Sequence, residues 1–188
     1  MLLVNVYTSF SNPQSTIIMA LIKSVKGVSP IFGKNCFLAE NATITGDVVM
    51  GNNCSVWFNS VIRGDVYPIR IGNNVNIQDC AVVHCTYQRA ATTIGENVSI
   101  AHGAIVHGCN IGDNVLVGMG AIIMDNAVIG NNCIIAAGAV VLENTIVESG
   151  SVFAGAPAKK IKTISEDLLK GEVQRISSNY MMYASWYD

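Results

Sequence analysis

The chain holds only three histidines, His84, His102 and His107, and all of them fall within twenty-four residues. Imidazole is the commonest protein ligand for a transition metal, and a set of three leaves one position of a tetrahedral ion open. Proximity in sequence does not say whether the three rings can converge; that depends on the elements that carry them. A second polar group lies just upstream, with Arg63 and Asp65 in an RGD triplet and Gln78 and Asp79 in the segment NIQD. These four residues are as suited to holding an interface as to taking part in catalysis.

The elements that must position them come from a repeat. Residues 32–158 read in sixes, from FGKNCF through ITGDVV, IGNNVN and IGDNVL to FAGAPA, twenty blocks in all. The lead residue is Leu, Ile or Val in seventeen, with Phe32, Met50 and Phe153 completing the set, so one inward-facing position recurs without hairpin turns. The fifth residue is small or β-branched, as at Ala42, Val48, Cys54, Ala81 and Ala121, and fits beside the lead side chain. Second positions are often Gly, as at Gly33, Gly51, Gly72 and Gly95. Gly and Asn are expected to supply the left-handed backbone of the corners. Each block is then a short strand plus a turn, and three blocks close a triangular coil of about eighteen residues. The repeat builds about seven coils at the usual inter-strand spacing of about 4.8 Å. The expected fold is all-β, a parallel β-helix with a C-terminal α-helix packed along it.

Three segments follow: an N-terminal extension over 1–18, the β-helix over 19–158, and a linker with the terminal helix over 159–188. Thr163, Ile164, Ser165 and Glu166 have capping-box spacing, and Leu168, Leu169, Val173, Ile176 and Tyr180 recur at helical intervals. They predict an amphipathic helix over 164–186.

Counting blocks gives the register of the histidines. With corner insertions at 68–70 and 89–93 skipped, His84 and His107 each follow a lead Val on the same face, one coil apart. Two imidazoles stacked at about 4.8 Å can lean onto one ion. Arg63 precedes His84 in that column, and Asp65 is placed to pair with an arginine, including one across a subunit seam. His102 is third in a block on a different face, one coil after Asp79, which stands beside Gln78. It does not easily converge with the other two within one chain, but it could do so from a neighbouring copy. That predicts a metal site split between chains in a cyclic homotrimer with three such sites.

Composition excludes several classes. The 188 residues carry a net charge of −2 without a basic stripe, so nucleic acid is not an expected partner. No apolar run reaches the roughly 18 residues that cross a bilayer. The start, MLLVNVYTSF, lacks a charged region before its apolar part and makes a poor signal peptide. Of six cysteines, Cys36, Cys54 and Cys133 take the small fifth position and no CxxC pair exists, which suits free thiols in a cytoplasmic protein.

The RGD at 63–65, NIQD at 76–79, VVH at 82–84 and AHGAIVHGCNIGDNVLVGMGAII at 101–123, with GAPAKKI at 155–161, resemble the γ-class carbonic anhydrase-like proteins. These belong to the hexapeptide-repeat, left-handed β-helix superfamily, and the likeness runs from about Ile22 to the C-terminus. It implies a homotrimer with zinc, or iron or cobalt, bound by His84, His102 and His107 shared between neighbouring chains. It also implies site roles for Arg63, Asp65, Gln78 and Asp79 and for a tyrosine of the terminal helix, Tyr180 or Tyr183. The implied activity is zinc-dependent hydration of CO2 to bicarbonate, a lyase reaction at the trimer interfaces. Strongly active members carry acidic residues that export the proton, one directly after the RGD triplet and others on a protruding loop. Here Val66 follows Asp65, and the corner segment 85–93, CTYQRAATT, has no carboxylate. Tyr87 and Tyr180 are poor substitutes near pH 7, because an unperturbed phenol titrates near 10. Slow hydration is therefore expected. A CoA-dependent acyltransferase or thioesterase, or a metal-stapled trimer without turnover, are the competing readings, since fold does not dictate function. Short insertions and the histidine trio disfavour the acyltransferase.

Overall fold

The structure, a computed structural model, describes residues 20–187; the expected extension over 1–18 lies outside them. The chain winds as a parallel β-solenoid of about seven coils, followed by a single helical segment. Two long strands, Thr43–Met50 and Val61–Ile71, run around a corner and join two faces into one 12-stranded sheet. The third face is an 8-stranded sheet that includes Ser55–Val56, Asn76–Ile77, Ser99–Ile100 and Val115–Val117.

Lead residues fill the interior as a continuous apolar column, from Ile44 to Phe153. Only Phe32 and Leu38, in the first coil, stay half-buried, because fewer coils lie beneath them. Full burial of one Ile or Val is worth about 1.5–3 kcal/mol, so the repeated lead position dominates cohesion of the column.

The left-handed backbone at the corners is taken chiefly by asparagine. Asn35, Asn53, Asn74, Asn97, Asn114 and Asn132 all have φ between 54° and 57°. Their side chains form a ladder, each amide Nδ2 donating to the Oδ1 of the next coil at 2.9–3.2 Å. The second-position glycines have a different reason from the one expected. A Cβ on Gly33 would sit 2.5 Å from the Gly51 carbonyl carbon, and one on Gly72 would sit 2.7 Å from the Gly95 oxygen. They are bare because successive coils touch there.

Both insertions are displaced from their expected positions. Gly46 pairs with Gly64 but Val48 with Ile69, so the first insertion lies between Gly64 and Ile69 rather than at 68–70. Ile69 turns inward and is fully buried. The second occupies 85–91 rather than 89–93, because Thr92–Ile94 already pairs with Ile69–Ile71. Each excursion stays within its expected corner, so the assignment of histidines to faces is unchanged.

Residues 159–163, expected as linker, form a strand antiparallel to Ser151–Ala154, which covers the open edge of the last coil. The helical segment spans 166–187 and widens to a π-helix over Leu169–Gln174. Its N-cap is Ser165, whose Oγ accepts from the Leu168 amide at 3.2 Å, and not Thr163, which belongs to the strand. Val173 and Ser177 are buried beneath it, and Tyr180 packs edge-on against Trp57 with centroids 5.2 Å apart. The helix therefore lies against the 8-stranded sheet and fixes the position of Tyr180. Among the described residues, no helix is long and apolar enough to cross a membrane.

Candidate metal centre

Strand Val82–His84 pairs in parallel with strand Ile105–His107, and His107 sits opposite His84. Val83 and Val106 are fully buried, so strand alternation turns the adjoining histidines outward. The ring centroids are 5.1 Å apart, and His84 Nδ1 lies 3.1 Å from His107 Nε2.

Each ring is held by a carboxylate on its far side. His84 Nε2 faces Asp65 Oδ1 at 3.2 Å, and Arg63 donates to Asp65 Oδ2 at 2.6 Å. This Arg–Asp pair closes within the chain. Burial alone would raise the Asp65 carboxyl, but the Arg63 guanidinium, helped by His84, holds it below the usual carboxylate range. His107 Nδ1 lies 2.6 Å from Asp125 Oδ1, and Thr86 Oγ1 donates to Asp125 Oδ2 at 2.6 Å. Asp125 is likewise held low: burial opposes ionisation, and the bonds from Thr86 and His107 outweigh it. Burial, followed by the positive charge of Arg63, lowers the His84 imidazole below its ordinary value and favours the neutral ring.

An ionised carboxylate only accepts hydrogen bonds. A neutral His84 therefore carries its proton on Nε2 and a neutral His107 on Nδ1. The two nitrogens 3.1 Å apart then face one another as lone pairs, an arrangement that a shared cation satisfies. Two ligand nitrogens bound at 2.0–2.1 Å to a tetrahedral ion lie about 3.3 Å apart, so the donor pair fits zinc in kind and in spacing.

His102 belongs to the other sheet, in the turn after Ser99–Ile100. Its Nδ1 lies 2.9 Å from Asp79 Oδ2, and its Nε2 lies 3.4 Å from the Tyr180 hydroxyl. Tyr180, rather than Tyr183, is the helix tyrosine that reaches it. Burial, then the negative charge of Asp79 and the nearby Tyr183, push the Tyr180 phenol up to about 12. Gln78 is buried, and its Nε2 donates to Asn76 Oδ1 at 2.9 Å. It lines an apolar groove of about 430 Å³ under the helix, with Ala101, His102, Leu116, Ile134 and Tyr180.

The expected site residues thus form two groups. Arg63, Asp65, His84 and His107 share one face; Gln78, Asp79, His102 and Tyr180 share another. Among the described residues of one chain, no three His, Cys, Asp or Glu side chains gather as a metal site. Sequence reasoning missed Asp125 and Thr86. No local pattern marked them; only the folded chain shows that a Cβ on Gly108 would overlap Asp125 Oδ1.

The family described as bacterial transferase hexapeptide (six repeats) matches residues 29–64 and 108–143. A protein of Methanocaldococcus jannaschii named probable carbonic anhydrase is 48% identical over 153 residues, which are 81% of this chain and 93% of the relative. The carbonic anhydrase of Geobacillus kaustophilus is 40% identical over 167 residues, 89% of this chain and 91% of the relative. Among solved structures, a hexapeptide transferase family protein from Anaplasma phagocytophilum superposes with a TM-score of 0.83 at 38% identity. The match covers 89% of this chain and 98% of that one.

Proposed function

The chain belongs to the γ-class carbonic anhydrase-like family of hexapeptide-repeat proteins, and from that membership we propose a metal-dependent CO2 hydratase that works as a cyclic homotrimer. In this reading His84 and His107 of one chain and His102 of the next hold the metal. Zinc suits the three imidazoles best, and iron or cobalt fit the same donors. The observation that carries the reading is the pair of facing lone pairs on His84 and His107, 3.1 Å apart, with the outer nitrogen of each ring on a carboxylate. His102 has the same kind of carboxylate partner on its own face, with Nδ1 on Asp79 and Nε2 turned toward the Tyr180 hydroxyl. Such carboxylate–histidine pairs orient metal ligands and set their tautomers.

When bound, the metal contributes Lewis acidity, which brings the pKa of a water in its open position toward about 7. The chain's own residues do the rest. Asp65, Asp79 and Asp125 keep the ring protons on the far side of each imidazole. Gln78, its amide anchored on Asn76, orients the small substrate beside His102, and the apolar groove next to it admits CO2. Tyr180 stays protonated, and its hydroxyl must release His102 Nε2 when the metal takes that nitrogen. Arg63 and Asp65 order the seam.

Proton export is the weak step, because segment 85–91 has no carboxylate. Hydration should therefore be slow and should rise with buffer concentration at constant pH; a rate independent of buffer would show a proton path inside the protein. The first test is metal analysis of protein purified without chelator, then stopped-flow CO2 hydration by zinc- and iron-loaded forms. About one metal per chain with measurable hydration supports the reading. No metal after reloading rejects it.

A second reading, acyl transfer from a CoA thioester with His102 as base, is favoured by the groove beside His102 and by the solved transferase relative. It needs no metal. Thiol release from acetyl-CoA that survives chelation would select it.

A further inference from the structure

We propose that Asp125, braced by Thr86, is a positioning residue of the metal site, and that corner segment 85–91 clamps the two stacked histidines. This rests on the metal-site reading above. Asp125 is 6% exposed, and both its oxygens are committed, Oδ1 to His107 Nδ1 and Oδ2 to Thr86 Oγ1, each at 2.6 Å. A buried carboxylate is costly unless it is fully paired. Its geometry has a directional consequence: it pins the His107 proton on Nδ1 and presents Nε2 to the space shared with His84.

The backbone is built to accommodate this. Gly108, directly after His107, is bare where Asp125 Oδ1 lies. Two threonines flank the corner excursion and tie it to both histidine strands. Thr86 bonds Asp125, while Thr92 Oγ1 donates to the His84 carbonyl and accepts from the Gly108 amide at 3.0 Å. A backbone bridge between Thr86 and Ala90 closes the excursion on itself. Where a longer acidic segment would move protons, this one holds ligands still.

The test compares Asp125→Ala, Asp125→Asn, Thr86→Val and Thr86→Ser in the full-length assembly. Zinc affinity is read by competition with a chromophoric chelator, and the His107 tautomer by 15N NMR of the metal-free protein. Asp125→Ala should weaken zinc binding by about 10–100-fold and move the His107 proton from Nδ1 toward Nε2. Asp125→Asn retains an acceptor oxygen and should keep the tautomer with a smaller loss. Thr86→Val should fall between wild type and Asp125→Ala, and Thr86→Ser should restore binding.

Wild-type tautomer and affinity within about twofold in Asp125→Ala would overturn the proposal, since carboxylate partners of ligands ordinarily matter more than that. If the wild-type protein binds no zinc at all, the metal reading fails by itself. The tautomer shift in Asp125→Ala then decides alone whether Asp125 sets the ring: its presence upholds the positioning role, and its absence removes it.

Discussion

The two halves of the candidate centre are built in opposite ways. On one face His84 and His107 stack in strand register, with their side chains 16% and 34% exposed, and carboxylates from other coils hold them. On the other, His102 stands alone in a turn, 48% exposed, with Asp79 from the adjacent coil and Tyr180 from the helix as its partners. In-register stacking holds two imidazoles together inside one chain, whereas the third faces a different direction and, in the proposed trimer, would join them only across a subunit boundary. The difference locates rigidity in the stacked strands and, under the proposed assembly, dependence on a partner at the His102 turn.

The largest expected effect tests that split directly. His84→Ala and His102→Ala trimers should each lose zinc. Trimers co-assembled from equal amounts of the two chains should regain about a quarter of the intact sites, since each site needs one particular chain of each kind in order. Zinc content measures the recovery, and none would mean that a single chain supplies all its own ligands.

The two turn glycines sharpen the comparison. Gly103 follows His102 at φ +66° with nothing within 4 Å of a Cβ; Gly108 follows His107 at φ +57° with Asp125 and Ala90 in the way. Alanine at either position costs about 1–2 kcal/mol of backbone strain, read by denaturant unfolding. Only Gly108→Ala should also lower zinc affinity, by about tenfold, through displacement of Asp125. Equal zinc affinities would show that the stacked pair is no more finely positioned than the lone histidine.

A smaller contrast is expected between the carboxylates. Asp65 is bonded by both Arg63 and His84, while the more exposed Asp79 holds His102. Asp65→Asn should weaken zinc binding by about tenfold, and Asp79→Asn by less. Chelator competition in the two variants would reverse the comparison if Asp79→Asn proved the more damaging. The smallest effect is assigned to Tyr180→Phe. One long hydrogen bond at 3.4 Å is worth at most about 1 kcal/mol, so zinc affinity should change by less than about fivefold.

Much of this was legible in the chain. The lead positions were readable because a six-residue period is a local rule that each coil repeats. The pairing of His84 with His107 was readable for the same reason. The exact site of each insertion was not: several apolar residues between Gly64 and Ile71 satisfy the inward slot, and packing selected Ile69. The second-position glycines suggested turn flexibility, whereas contact between coils is what excludes a Cβ. Residues 159–163 carry no strand period, and pair only because an open sheet edge lies beside them. Asp125 was hidden because a single carboxylate in a corner block looks like a solvated turn residue.

The sequence by itself determined the solenoid, its three faces and the column shared by His84 and His107, because these follow from period and count. Only the tertiary structure decided which nitrogen of each ring faces a carboxylate and which does not. That choice belongs to Asp65, Asp79 and Asp125, on three different coils, and hydrogen-bond distance across stacked strands, which no periodicity encodes, selects them.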